Sequence, residues 1–174
     1  MAIQSLYIIN KSGGLIYQTD FPLPTNSSTS TSTTTTTTPS LTRLTANDYL
    51  VLAGTLHGVF AIASRLTPTA VKLTKTPPPS SNILPSYNNS GLRCIETEQF
   101  NLYIYQTITG LKFMIITTPT VADLNYATDV AETAMKSCYE VYSDYVMKDP
   151  FYELGMPIRG KAFERRLWEL IVGK

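Results

Sequence analysis

The chain has 174 residues, of which 43% are hydrophobic and 16% charged, and its 14 lysines and arginines nearly balance 13 aspartates and glutamates. This length suffices for one domain with a buried core and is too short for two. The weak net charge argues against a nucleic-acid-binding protein, which usually carries a basic stripe. Cys94 and Cys138 have no histidine or second cysteine at metal-ligand spacing. We therefore expect reduced thiols, no metal site and no cofactor.

The N-terminal segment predicts a β-hairpin. Residues 3–9 alternate apolar side chains onto both faces of a strand, a turn follows at 10–14, and residues 15–18 return as a second strand. The two faces of the first strand hold Ile3, Tyr7 and Ile9 and, opposite them, Leu6 and Ile8. The segment lacks the basic and long apolar regions of a signal peptide, and we find no apolar stretch approaching the ~20 residues of a membrane span.

Residues 100–117 give the clearest strand pattern in the chain. They predict two strands joined by a tight turn at 108–110, in which Gly110 adopts a positive φ. One strand alternates Phe100, Leu102 and Ile104 with Tyr103 and Tyr105, and the other alternates Leu111, Phe113 and Ile115 with Met114 and Ile116. An antiparallel sheet with one solvent face shows polar residues at every second position. Both faces are apolar here, so helices must cover the sheet on both sides.

Two segments lack apolar periodicity. Residues 21–43 are dominated by serine and threonine, and residues 74–91 contain three consecutive prolines. Such compositions cannot bury enough apolar surface to fold, and long loops add little closure entropy. We expect both segments to be disordered loops inserted into a single domain spanning residues 1–174.

The first helix is predicted from Thr45, as N-cap with Asp48 as its capping-box partner, to Leu66. Its sheet-facing stripe is expected to hold Tyr49, Leu52, Ala53, Leu56, Val59, Phe60 and Ala63. The opposite side lacks the charges of a solvent face. Its two glycines cost the helix ~2 kcal/mol relative to alanine, and a docked partner would offset that cost. We therefore predict partner-binding residues on this side, with packing as the alternative role for the histidine: Leu50, Gly54, His57, Gly58 and Ala61.

The C-terminal half predicts a strand at 92–97 and helices at 123–148 and 161–172. The longer helix should lie on the sheet through Leu124, Ala127, Ala131, Ala134, Cys138, Val141 and Tyr145. The shorter helix should point Phe163, Leu167, Leu170 and Ile171 inward. A basic cluster at its start comprises Arg159, Lys161, Arg165 and Arg166, and we interpret it as a solvated face.

The loop between the last two helices, residues 149–159, combines aromatic, apolar and charged side chains. Tyr152 and Arg159 are predicted to contact a partner, because each carries a polar tip that burial would leave unsatisfied. Phe151 and Met156 are expected to cover the end of the sheet instead.

The predicted order is β-β-α-β-β-β-α-α, with a five-stranded antiparallel sheet covered on both faces. This α/β arrangement resembles the longin-like three-layer α/β/α sandwich. Five stretches resemble the synbindin-type small subunits of the TRAPP vesicle-tethering complex: YIINKSGGLIYQ, LHGVFAIASRLTP, YQTITGLKF, YEVYSD and DPFYELGMPIR. Animal members of that family carry a folded PDZ-like insert after the second strand, where this chain has its Ser/Thr tract.

The resemblance implies a non-catalytic subunit paired with a second longin-fold subunit, and in contact with TRAPP α/β-plait subunits. In that family the complex exchanges nucleotide on a Rab GTPase of the Ypt1/Rab1 type between endoplasmic reticulum and Golgi. It further implies a cytoplasmic protein that reaches the endoplasmic reticulum and cis-Golgi membranes peripherally, through the complex.

Two other functions remain open from the residues. A longin- or profilin-like sensor would bind a small molecule or peptide in a pocket lined by the tyrosine-rich sheet. A hydrolase would use Glu96 and Glu98 as an acid pair, since residues i and i+2 of a strand share a face. A solvated strand end is the simpler interpretation of these two glutamates. No catalytic residue is predicted under the TRAPP hypothesis.

Overall fold

A computed structural model describes residues 2–21, 45–66, 91–119 and 124–173. The two predicted loop insertions lie almost entirely outside these residues. Their predicted disorder, and the single-domain boundary at 1–174, therefore stay predictions.

The described residues form strands and helices in the order β-β-α-β-β-β-α-α. The elements are β1 Ile3–Ile9, β2 Leu15–Asp20, α1 Ala46–Leu66, β3 Cys94–Glu96, β4 Asn101–Gln106, β5 Lys112–Thr117, α2 Leu124–Tyr145 and α3 Lys161–Val172. The strands form one antiparallel sheet in the order β2-β1-β5-β4-β3. The predicted fold class, a longin-like α/β sandwich with a five-stranded antiparallel sheet, is confirmed. Gly110 has a φ of 90° in the β4–β5 turn, as that turn requires.

Each face of the sheet carries its own apolar core. The face covered by α1 buries Tyr7, Ile9, Tyr49, Ala53, Phe60, Leu102, Ile104 and Met114. The face covered by α2 and α3 buries a larger set that includes Leu6, Ile8, Tyr103, Phe113, Ile115, Cys138, Tyr142, Phe163 and Leu167. The alternation predicted for β4 and β5 is therefore confirmed, and so is the inward side of α3.

One residue of β1 lies on the face opposite to the predicted one. Ile3 packs with the α2 and α3 core rather than with Tyr7 and Ile9. The pairing of β1 with β5 shifts register between Ile3 and Ser5. A bulge of this kind interrupts the two-residue alternation, so Ile3 falls outside the pattern that the rest of the strand follows.

The predicted N-cap of α1, Thr45 with Asp48 as its partner, is confirmed. The Thr45 backbone N–H donates to Asp48 Oδ2 at 3.0 Å, and the Asp48 N–H donates to Thr45 Oγ1 at 3.3 Å.

Two residues that were predicted to face the sheet are exposed instead: Val59 of α1 is 47% exposed, and Tyr145 of α2 is 45% exposed. The predicted α2 stripe repeated every 3.5 residues, and a straight helix of 3.6 residues per turn drifts off such a repeat over three heptads. Met135, Tyr142 and Val146, which were not in the predicted stripe, are buried instead.

The helix α1 overturns the expectation about apolar length. Of the described helices, α1 is long and apolar enough to cross a membrane by length and composition. Its Tyr49, Ala53 and Phe60 nevertheless pack on the sheet, as the residues of a core helix do. Most of the remaining helix surface is exposed and apolar, and that surface is the unusual feature.

The packing of Phe113 gives a stability prediction. Its side chain is fully buried, with ring centroids 6.0 Å from Tyr139 and 6.1 Å from Tyr142. Phe113→Ala should lower the free energy of unfolding by about 3–5 kcal/mol, because it leaves a cavity in a close-packed core. The matched control is Ile108→Ala in the adjoining turn, where the side chain is 73% exposed and the expected change is under about 0.5 kcal/mol. Equal losses in urea unfolding would contradict this account.

Candidate partner interface

The outward side of α1 is apolar where a solvent-facing helix is normally charged. Residues 49–64 contain no aspartate, glutamate, lysine or arginine. Four large side chains on this helix are more than half exposed: Leu50, Val51, Ile62 and Leu66. Contiguous exposed apolar surface of this kind marks an interaction site in a folded protein.

The two glycines of α1 lie open to the outside. A Cβ added at Gly54 or Gly58 would meet no atom within 4 Å. Packing within the described chain therefore does not require glycine at either position. Because residues four apart share a helix face, the two glycines form a flat strip on which another backbone can approach closely. The free energy they cost the helix is not recovered inside the described part of the molecule.

His57 lies away from this strip, although the sequence placed it on the same side. Its ring is half-buried over the β1–β2 turn, and a Cβ at Gly13 would lie only 3.0 Å from it. Burial, and then the nearby Lys112 charge, lower the pKa of His57, so the imidazole is neutral at pH 7. Of the other predicted α1 residues, Leu50, Gly54 and Ala61 are exposed and Gly58 is half-buried. His57 thus packs against the β1–β2 turn, and its predicted contact with a partner stays a prediction.

The 149–159 loop is hydrogen-bonded to the domain at both ends. The Asp149 N–H donates to the Val146 carbonyl at 3.2 Å, and the Ile158 N–H donates to the Ile16 carbonyl of β2 at 2.8 Å. Phe151 is nevertheless 92% exposed, and Met156 is 48% exposed. The expectation that these two residues cover the end of the sheet was wrong, because Ile158 is the buried anchor of the loop.

The two predicted contact residues of this loop differ in exposure. Arg159 is exposed, as predicted. Tyr152 is half-buried, and its hydroxyl donates to the Met156 carbonyl at 3.1 Å. The hydroxyl of Tyr152 therefore has its hydrogen-bond partner inside the loop, and its ring is partly buried and partly exposed.

The same end of the molecule contains a groove of about 690 Å³ that the sequence did not reveal. Its walls come from the β1–β2 turn, the β4–β5 turn, the end of α2 and the 149–159 loop. Three tyrosines line it, namely Tyr139, Tyr142 and Tyr152, with Lys11 also in the lining. The tyrosines of the sheet itself, such as Tyr103, are in the core instead. Four segments distant in sequence meet here, and only the abundance of tyrosine hinted at such a pocket.

The remaining candidate groups are not assembled into a catalytic centre within the described ranges. Glu96 and Glu98 are exposed around the β3–β4 connection, as expected for a solvated strand end. No three His, Cys, Asp or Glu side chains come together as a metal site in the part of the chain that the structure describes. Burial raises the pKa of Cys94 to about 11 and that of Cys138 to about 12, so both free thiols stay protonated at pH 7.

The basic cluster around the start of α3 is solvated. Arg159, Lys161, Arg165 and Arg166 are all exposed, and Arg166 pairs with Glu169 at 2.9 Å on its own helix. An exposed pair of this kind contributes little stability. The cluster is free to meet a partner and is not needed for packing.

Comparison with known proteins gives a consistent set of relatives. A *Dictyostelium discoideum* protein named Trafficking protein particle complex subunit 4 is 36% identical over 171 residues, which cover 98% of this chain and 97% of that protein. The *Homo sapiens* protein of the same name is 36% identical over 125 residues, or 72% of this chain and 46% of that protein. Subunit 1 of *D. discoideum* is 23% identical over 165 residues, covering 95% and 91% respectively.

Two further comparisons concern the fold and the family. A solved chain of *Myxococcus xanthus* MglB superposes with a TM-score of 0.39 at 14% identity, covering 78% of this chain and 85% of that one, a likeness too slight to argue from. The model of the Sybindin-like family matches residues 3–173, nearly the whole sequence. This chain belongs to the Sybindin-like family.

Proposed function

We propose that this chain is a non-catalytic subunit of a TRAPP tethering complex and binds a second longin-fold subunit through the outward side of α1. The observation that carries the proposal is the uncharged, glycine-containing face of α1 on a chain of this family. Exposing such a face to water is unfavourable. A permanent partner would cover it, because obligate protein interfaces are more apolar than transient ones.

The relatives support a partner of the same fold. Both subunit 4 and subunit 1 of *D. discoideum* resemble this chain over most of its length. Two chains of one fold can pack corresponding helix faces against each other, as an isologous interface does. The exposed Phe151, Met156 and Arg159 then remain for other subunits, and the TRAPP α/β-plait subunits are the proposed partners there.

The complex is further proposed to promote nucleotide exchange on a Rab GTPase of the Ypt1/Rab1 type, in transport between endoplasmic reticulum and Golgi. This chain would act in the cytoplasm and reach those membranes peripherally, through the complex. Exchange requires no nucleophile, metal or acid–base pair from this chain. A surface that binds the nucleotide-free GTPase better than the nucleotide-bound form accelerates release by differential affinity alone.

A second candidate function is a small-molecule or peptide-binding sensor, which the tyrosine-lined groove of about 690 Å³ favours. Its size and apolar walls suit a drug-sized ligand or an aromatic peptide side chain.

Oligomeric behaviour distinguishes the two candidates. We expect the lone chain to self-associate or aggregate in size-exclusion chromatography, because α1 then exposes its apolar face, and to become monodisperse when co-expressed with a second longin-fold subunit. A sensor would elute as a monomer without any partner, and that result would favour the groove.

Gly58→Leu tests the α1 face directly. Nothing lies within 4 Å of the added Cβ, and leucine is a much better helix former than glycine, so the melting temperature of the lone chain should stay or rise. Co-purification with the longin-fold partner should be lost, because the larger side chain blocks close approach. Ala162→Leu on the exposed side of α3 is the control and should co-purify normally. A destabilised Gly58→Leu chain would mean that this face is part of the core.

Arg159→Ala tests the loop. Since Arg159 is exposed, the free energy of unfolding should change by less than about 0.5 kcal/mol, while assembly with the other subunits weakens or GTPase nucleotide release slows. Arg165→Ala removes the same charge from α3 and is the control. Combining Arg159→Ala with Tyr152→Ala should deepen the defect, whereas Tyr152→Phe keeps the ring and tests the hydroxyl alone. Unchanged assembly and release in the double variant would remove this loop from the interface.

A further inference from the structure

A second cavity, of about 370 Å³, opens beside the C-terminal half of α1 and holds positive charge without a counter-charge. Its polar lining comes from His57, Ser64 and Arg65 of α1, Gln106 at the end of β4 and Lys112 at the start of β5. Among the residues that the structure describes, no aspartate or glutamate lines it. A cavity with two cationic side chains and no carboxylate is complementary to an anion.

Lys112 is the unusual residue of this cavity. It is only 4% exposed, yet it forms no ion pair with any described residue. Its Nζ donates to the Gly110 carbonyl at 3.3 Å and lies 5.4 Å from the centroid of the Phe60 ring. The ammonium group has three N–H donors, and these contacts leave part of its hydrogen-bonding capacity unused. Buried charges in folded proteins are normally paired, so an opposite charge is missing here.

The chain has few carboxylates that could supply that charge. Eight of its acidic residues belong to α2, α3 and the 149–159 loop, and both helices pack on the opposite face of the sheet. On the α1 side, Asp20 accepts from the Tyr49 hydroxyl at 2.9 Å and Asp48 is engaged in the N-cap. Residues 22–44 and 67–90 contain no aspartate or glutamate. Glu96 and Glu98 are exposed around the β3–β4 connection, and no described carboxylate forms an ion pair with Lys112. The described part of the chain therefore leaves this charge to be met by another molecule.

His57 gives a second, independent indication. Its Nδ1 is buried and has no hydrogen-bond partner among the described residues. A buried polar atom without a partner is costly, and a ligand that completes its hydrogen bonds removes that cost. The imidazole lines the same cavity as Lys112. Two groups from different elements therefore have unused hydrogen-bonding capacity at one place, and in the tautomer that carries the proton on Nδ1 the imidazole can donate to a carboxylate.

We propose that this cavity binds the carboxylate of an aspartate or glutamate from the protein subunit that covers α1. The inference rests on the proposed function and specifies the chemistry of the partner. His57, Ala61 and Arg65 form one i, i+4 row of α1. The neighbouring row consists of Gly54, Gly58, Ile62 and Leu66, of which all but the half-buried Gly58 are exposed. A partner packed on the apolar row can insert an acidic side chain into the cavity.

The recessed position of Lys112 favours a protein over a membrane surface. A side chain from a docked protein can reach an ammonium group that is 4% exposed, whereas the headgroup layer of a bilayer presents a broad surface. Helices that bind anionic membranes also carry several lysines and arginines, and α1 carries only Arg65.

A buried carboxylate would serve partner choice more than affinity. A subunit that places an apolar side chain in the cavity would leave Lys112 buried and unpaired, which is strongly unfavourable. A subunit with a carboxylate at that position avoids the penalty. The cavity would thus reject wrong subunits that match the apolar strip.

The test is Lys112→Met, which keeps the aliphatic stem and removes the charge. The variant and the wild-type full chain are titrated with the longin-fold subunit of the same organism at several salt concentrations. We expect Kd to rise about 30-fold for Lys112→Met, because the partner carboxylate becomes buried without a cation. Lys161→Met, at an exposed position on α3, should leave Kd unchanged. The melting temperature of the lone Lys112→Met chain should be unchanged or higher, since an unpaired buried charge has been removed.

The outcomes separate this inference from the proposed function. If wild-type chain binds the longin-fold subunit and Gly58→Leu abolishes binding while Lys112→Met does not change Kd, the carboxylate site is wrong and the interface stands. If wild-type chain fails to bind, the proposed function itself is wrong. A lower melting temperature for Lys112→Met would also overturn the inference, since Lys112 would then serve the fold. Lys112-dependent binding to vesicles of phosphatidylcholine and phosphatidylserine would overturn it in favour of a membrane.

Discussion

Burial of both faces of a single sheet is the constraint on which the rest of this structure depends. β4 and β5 alternate apolar side chains with apolar side chains, so neither face can meet water. One face is covered by α2 with α3 packed against it, and the other by α1. The position of each helix, and the apolar stripe that each presents inward, follow from this requirement.

The two coverings are not equivalent. The exposed side of α2 carries charged residues, namely Asp129, Glu140 and Asp144, and Asp144 pairs with Lys148 at 2.6 Å. The outer surface of α1 is apolar, with two glycines and no charge between Asp48 and Arg65. The α2 side therefore presents charges to solvent, whereas the α1 side presents an uncharged surface suited to further packing. The unpaired Lys112 lies beneath that second surface, so the charge and the apolar strip occupy the same region.

The sequence was informative wherever a regular period or a local hydrogen bond decides the structure. The faces of β4 and β5, the Thr45 cap and the inward side of α3 were predicted correctly for this reason. Ile3 and Tyr145 were misplaced because a bulge and helical drift break the assumed periods. The location of the groove was not predicted, although the abundance of tyrosine hinted at a pocket, and the Lys112 cavity was not predicted at all. Their walls are built from separate segments of the chain, and the periodicity within one segment does not predict which segments come together.

The hydrogen bond from the Ile158 N–H to the Ile16 carbonyl has a consequence for solubility. β2 is one edge of the sheet, and a free edge strand invites pairing with strands of other molecules. The loop occupies a carbonyl of that edge, and the opposite edge, β3, is only three residues long. Edge-to-edge growth into β-aggregates is thereby disfavoured at both ends of the sheet. This chain should therefore associate through its helix faces and loops, where side chains determine which protein binds, rather than through the backbone of an edge strand.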